Sequence, residues 1–142
     1  MMEPLPDAIK AFLAAARVCR IATVRADGQP HLIPVCPVYN GDQILYVDIG
    51  SRSASAEGVG GNGLVAVLVD AYDEDWSRLK GLLLRCRAQA LEGEAVEAAW
   101  RQIREKYPQY GSVGWEPRLT LALSIQEWRQ WGILERPEYD PR

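Results

Sequence analysis

Residues able to do chemistry are few in this chain, and they are scattered. His31 is the one histidine. An imidazole titrates near neutral pH and suits acid or base work. His31, however, follows directly on a turn and has no Asp or Ser partner at a readable spacing, so it reads as a surface residue. Cys19, Cys36 and Cys86 are odd in number, far apart and without a CxxC, which argues against a disulfide framework or a zinc site. They read as reduced thiols that behave as small hydrophobes. Asp73-Glu74-Asp75 lacks the glycine and the spaced ligands of a calcium loop and reads as a solvated acidic turn. Between Gly50 and Gly63 the chain is rich in glycine and serine, with Arg52 its only cation. Neither a metal site nor a catalytic side chain is assigned.

The bulk properties bound what such residues could serve. The 142 residues suit one domain, 1–142, and can bury a core unaided. Hydrophobic residues make up 48% and charged residues 25%, the balance of an ordinary globule. No apolar run approaches the roughly 18–20 residues of a membrane span. Met1 to Lys10 carries Glu3 and Asp7 and does not read as a secretion leader, so a cytoplasmic location is expected. A net charge of −3 and a pI near 5.2 argue against a nucleic-acid binder, including an oligonucleotide-binding small barrel, because neutralising phosphates needs a basic stripe.

The elements follow from periodicity. Residues 5–17 predict a helix that lids a barrel end, with Asp7 as its cap and Ile9, Phe12, Leu13 and Ala16 on one face. The period then becomes two. Val18–Arg25 and His31–Tyr39 predict a hairpin around Asp27-Gly28, and Pro34 and Pro37 predict an edge, a bulge or a missing partner in its second strand. Ile44–Ile49 is a third strand after the Asn40-Gly41-Asp42 turn. Leu64–Asp70 predicts a strand buried on both faces, and Arg78–Leu91 a long strand with Leu82, Leu84, Cys86 and Ala88 on one face. Gly93–Lys106 is a second helix with Val96, Ala99, Trp100, Ile103 and Tyr107 on its stripe, stopped by Pro108. Tyr110–Pro117 reads as a loop and residues 119–126 as a half-buried strand. The tail at 134–142, with Pro137 and Pro141, should be poorly ordered or docked on a partner. Helix, four or five strands in meander, helix, strand does not alternate as βαβ units do. A closed or nearly closed antiparallel barrel is the natural solution.

Taken in order, Arg20-Ile21-Ala22-Thr23-Val24, Asp27-Gly28-Gln29-Pro30-His31 and Ile33-Pro34-Val35 resemble the opening hairpin of the pyridoxamine-5′-phosphate-oxidase-like split barrels. Tyr46-Val47-Asp48 is similar to that family's third strand. Val67-Leu68-Val69-Asp70 with the later Asp75-Trp76-Ser77-Arg78-Leu79 resembles the branch associated with the deazaflavin F420, as does the closing Glu127-Trp128-Arg129-Gln130-Trp131. The resemblance runs from about Val18 to Gly132. It implies a mainly β fold, a six-stranded antiparallel split barrel of Greek-key type. It also implies a homodimer with two equivalent FMN or F420 sites at the interface, each drawing on both subunits. Carried onto this chain, the backbone at Ile33, Pro34 and Val35 would face the ring. Asp48, Ile49, Ser51, Arg52 and Ser53 would form the phosphate end. Trp76, Ser77 and Arg78 would approach from the partner, and Trp131 from the closing strand.

The chain departs from that pattern in the phosphate turn. Ile49-Gly50-Ser51-Arg52-Ser53-Ala54-Ser55 keeps one Arg where the family is rich in Lys and Arg, and Ala56-Glu57-Gly58-Val59-Gly60-Gly61 replaces a basic helix. Lys80 and Gly81 stand where aromatics often follow the Trp-Ser-Arg-Leu step. Arg52 reads either as a bidentate phosphate ligand or as a solvated loop arginine. Trp76 reads as a cofactor contact or an interface anchor, and Arg78 as a phosphate ligand or a local ion pair with Asp73 or Asp75. Trp128 and Trp131 read as interface residues, Trp100 as core. Two functions follow. One is an FMN- or F420-binding oxidoreductase moving a hydride to or from a small organic substrate, with the hydride chemistry supplied by the cofactor. The other is a non-catalytic split-barrel dimer with a degenerate phosphate site, binding another ligand or a partner.

Overall fold

The computed structural model describes residues 3–50, 59 and 63–136. Ser51, Arg52 and Ser53, with most of the Gly50–Gly63 segment and the end of the tail, lie outside them. Helix α1 (Asp7–Ala15) is shorter than its periodicity suggested. Pro6 holds the N-cap position and no side chain caps the helix, so Asp7 is its first residue and acts only as a first-turn acid. Ile9 and Leu13 are fully buried, so α1 does close one end of the barrel.

The sheet contains β1 (Cys19–Val24), β2 (Pro30–Val35), β3 (Val38–Tyr39), β4 (Ile44–Asp48), β5 (Leu64–Ala71), β6 (Lys80–Ala90) and β7 (Thr120–Trp131). Their spatial order is β2-β1-β5-β6-β7-β4-β3, antiparallel throughout. The two edge strands, β2 and β3, are joined by only Cys36 and Pro37, so the sheet must curl until its edges meet. They are the two halves of the predicted strand His31–Tyr39: the first pairs with β1, the second with β4. Seven strands are therefore a six-stranded barrel with one strand split. The order also replaces the predicted meander. β4 lies against β7, and β5 lies against β1, a non-local Greek-key crossover.

Prolines show why the split falls there. Pro30 and Pro34 have the same parity in β2 and pair with Val24 and Arg20. Lacking an N–H, both must sit at positions that do not bond to β1. Their nitrogens face the free edge, where only Leu32 offers a donor in β2.

Two burial expectations change. β5 alternates, with Val65, Val67 and Val69 inside and Leu64 51% exposed, so it is not buried on both faces. β7 is buried on both faces from Thr120 to Leu123 but exposed from Gln126 onward. The cause is helix α2 (Glu94–Lys106), whose Trp100 covers the Thr120 side, with its indole N–H donating to Thr120 Oγ1 at 2.9 Å. A short helix α3 (Gln109–Val113) occupies part of the predicted loop and ends on Gly114 with φ +68°. Val38, Trp100, Ile103 and Tyr107 form a small core under α2, apart from the barrel interior.

Candidate functional site

β4 ends on Asp48, and its carboxylate organises the turn that leaves the strand. Oδ1 accepts from Gly50 N at 3.1 Å and Leu119 N at 3.3 Å. Oδ2 accepts from Arg118 N and from Thr120 Oγ1, each at 3.0 Å. Through Thr120 the chain of bonds continues to Trp100. Asp48 thus ties β4, the start of β7 and α2 into one unit, and its charge is met by four donors. Beside it Ile49 is buried in the core.

A cavity of about 500 Å³ opens over this unit, lined by Asp48, Gly50, Trp100, Tyr110, Trp115 and Arg118 among others. Tyr110 is set edge-on to Trp100 (5.1 Å) and Trp115 (5.8 Å). Tyr110 and Trp115 also wall a neighbouring hollow of about 370 Å³ that reaches Cys36 at the end of β2, with Arg17 and Tyr107 on its far side. Arg17 lies 4.5 Å above the Tyr107 ring. The Tyr107 hydroxyl donates to Pro37 O at 2.7 Å, fixing the crossing between β2 and β3. Burial pushes the Tyr107 phenol well above its usual pKa, and raises that of Tyr110 as well, so both stay neutral donors.

Of the groups picked from the sequence, the end of β4 lines the first cavity through Asp48. Ile33, Pro34 and Val35 are not among the residues lining either hollow, and only the following Cys36 reaches the second. Ile33 and Val35 point into the barrel and Pro34 outward. Sequence reasoning missed Tyr110, Trp115 and Arg118. Arg118 is exposed at the cavity rim, and its guanidinium has no partner among the described residues. The signal that could have found them is the aromatic–Pro–Arg run Trp115-Glu116-Pro117-Arg118 entering a strand, of which the sequence reading makes only a loop over Tyr110–Pro117.

The third group lies elsewhere. Trp76–Arg78 forms one 3₁₀ turn, capped by Asp75, which accepts from Ser77 N at 3.0 Å and Ser77 Oγ at 2.6 Å. Those bonds, with nearby Arg136 and Arg78, hold the Asp75 carboxyl below its usual pKa. Arg78 pairs with Asp75 at 3.5 Å. Arg136 donates to Ser77 O and Oγ, and buried Lys80 donates to the Leu134 and Arg136 carbonyls. The segment up to Arg136 is thus docked on this corner of its own chain. Trp76 is left 73% exposed, and Trp131 lies across Gly81, where a Cβ would sit 1.9 Å from its ring.

Asp48 pairs with Thr120 at one end of β7, and Gly81 with Trp131 at the other. Eleven residue steps separate them, about 35 Å of strand at ~3.3 Å per residue. One chain does not bring the Asp48 cavity and the Trp76 corner together. Among the described residues no group of three or more His, Cys, Asp or Glu side chains could hold a metal, and no helix is long and apolar enough to cross a membrane.

Residues 5–132 match the family model described as pyridoxamine 5′-phosphate oxidase. No curated protein matches the chain. Among solved structures, a conserved hypothetical protein of Mycobacterium tuberculosis superposes with a TM-score of 0.76 at 21% identity, covering 96% of this chain and 91% of that one. The heme storage protein of Vibrio cholerae gives 0.68 at 18%, covering 92% and 95%. A FAD-binding protein of Mesorhizobium loti gives 0.68 at 22%, covering 90% and 95%. At these identities the likeness is one of fold.

Proposed function

The chain belongs to the pyridoxamine 5′-phosphate oxidase family, and on that premise we propose that it is an oxidoreductase binding FMN or the deazaflavin F420 at a site completed by a second copy of itself. The observation that carries this reading is the aromatic cavity beside Asp48 and Gly50 with Arg118 at its rim, a guanidinium that meets no partner among the described residues. Aromatic walls suit a planar ring, and an exposed guanidinium suits a phosphate. Four donors offset much of the Asp48 charge there, and Glu116, which also lines the cavity, is paired with Arg104 at 3.1 Å. Arg118 would add the cation that the Gly50–Gly63 segment otherwise draws from Arg52 alone. The exposed Trp76 of the partner would supply the missing wall, which accounts for its 73% exposure in one chain.

A bound flavin supplies the hydride chemistry. This chain's own residues do the rest. Trp100, Tyr110 and Trp115 exclude water, the Ile33–Val35 edge strand presents backbone to a ring, and Arg118 with Arg52 neutralises phosphate. A small organic substrate, in a cytoplasmic setting, completes the reading.

The second reading is a dimer that has given up flavin and holds another ligand. The sparse charge of the Gly50–Gly63 segment favours it, and the fold is shared with a heme storage protein. An absorption spectrum of the purified protein, then titrations with FMN, F420 and hemin, separates the two. Saturation by FMN or F420 near one molecule per chain, weakened in Arg118→Ala, supports the oxidoreductase. Saturation by hemin alone, or by none of the three, removes it.

A further inference from the structure

Arg17, between α1 and β1, meets the end of α2. Its Nη1 donates to Lys106 O at 3.1 Å, and its guanidinium lies 4.5 Å above the Tyr107 ring. Lys106 stands beside it, with its ammonium 5.3 Å from the same ring. That ammonium donates to Ala16 O and, at 2.9 Å, to Pro37 O. Among the described residues neither cation pairs with a carboxylate. Burial first, and then the Arg17 charge, lower the Lys106 pKa. Two like charges held together disfavour each other, and an anion brought to Arg17 would offset that repulsion.

Arg17 opens on the hollow of about 370 Å³ that reaches Cys36. Arg17 and Gln109 are exposed, so both are within reach of a molecule there. Among the described residues no acid lines this hollow, whereas Asp48 and Glu116 line the first cavity. The remaining wall is apolar and aromatic. Tyr107 is almost wholly covered, but Val113 and Trp115 are 56% and 63% exposed and leave their surface open to the hollow. Tyr110 and Trp115 also belong to the first cavity, so the two spaces share a wall.

We propose that this hollow is a second small-molecule site, one for a small aromatic carboxylate, with the carboxylate on Arg17 and the ring between Val113 and Trp115. Under the cofactor reading, on which this last step rests, the shared wall makes that carboxylate the substrate class. The volume suits a small ligand, and apolar walls with a few placed polar groups are the usual make-up of such a site. A planar ring gains most from Trp and Tyr surface. Arg17 has five N–H groups and spends one on Lys106 O, which leaves donors for a two-oxygen head. A dianionic phosphate would call on Lys106 as well, and that ammonium already serves two carbonyls. A cationic ligand would add a third like charge.

The test is a titration of the full chain, with no flavin added, by 2-naphthoate and by 2-naphthamide, which has the same rings without the charge. 2-Naphthoate should saturate and bind about tenfold tighter than the amide, the scale of a charge-assisted hydrogen bond. It should also slow alkylation by iodoacetamide, read by mass. Cys19 and Cys86 are buried and Cys36 is not, so a single adduct reports on the hollow. Arg17→Gln should erase the preference for the acid, and Arg118→Ala, at the first cavity, should keep it. Equal affinity of the two probes for the natural chain, no saturation, alkylation that saturating 2-naphthoate does not slow, or a preference that survives Arg17→Gln would each overturn the proposal. The comparison of probes on the natural chain needs no variant to fold. Because no cofactor is added, failure here leaves the FMN or F420 reading standing. Failure of that reading leaves this site and removes only its role as substrate pocket.

Discussion

Arg118 tests the residue-level argument most directly, because only its backbone N–H serves the fold, through Asp48. Its guanidinium meets no partner among the described residues. Arg118→Ala should therefore leave the melting temperature unchanged and weaken FMN or F420 binding about tenfold, as should Arg52→Ala, the scale of a lost charge-assisted hydrogen bond. Isothermal titration of the two variants checks this, and unchanged affinity in both would remove the phosphate assignment. Asp48 behaves in the opposite way. Asp48→Asn replaces an acceptor of four bonds by a group with one oxygen, so it should cost about 1–3 kcal/mol of stability, read in urea unfolding, before any effect on a ligand. The sequence marked Asp48 and Arg52 only through their place in a resembling motif. Arg118 was invisible because its meeting with Asp48 spans seventy residues, a distance that no local spacing encodes.

At the level of elements, the close approach of β6 to the chain after β7 gives a sharp prediction. Gly132 has φ +72°, and a Cβ there would stand 2.0 Å from Leu79 O and 2.8 Å from Lys80 Cα. Both obstacles are backbone, so Gly132→Ala should cost about 2–4 kcal/mol and lower the melting temperature by roughly 10 °C. A loss of under about 1 kcal/mol would mean that this corner is looser than drawn. The buried thiols make a second prediction. Burial lifts Cys19 and Cys86 from 9.0 to about 12 each, and Tyr107 rises with them. The folded chain keeps protons there that the unfolded chain sheds, so this contribution is whole below about pH 9 and is lost as pH rises from 9 toward 12. Urea midpoints should fall steadily across that window, and a flat profile would contradict it. Local signals found nearly every element. Pro34 and Pro37 foretold a broken strand, and Asp27-Gly28 its hairpin. The sequence could not say that the two halves serve opposite edges, nor that α2 would cover Thr120 with Trp100. Both follow from non-local packing, which a period-two pattern does not record.

At the scale of the whole molecule, the eleven residue steps of β7 from Thr120 to Trp131 keep the Asp48 cavity and the Trp76 corner far apart in one chain. If, as proposed, the cavity of one copy meets the corner of a second, a two-fold axis completes both sites at once, because a C2 interface repeats every contact twice. The exposed Trp76, Trp131 and Leu32 would then be covered, as large apolar surface usually is. Mixing two defective chains decides the matter. Arg118→Ala damages the cavity, and Trp76→Ala damages the corner. If each site takes its cavity from one chain and its corner from the other, a mixed dimer holds one site with both lesions and one with neither. Random re-association of equal amounts makes about half the dimers mixed, so about a quarter of all sites should regain full affinity. If instead each site lies within one chain, every site keeps its lesion and titration recovers nothing. A chain that stays monomeric at micromolar concentration gives the same null result, and a sedimentation run on the unmixed protein tells the two apart.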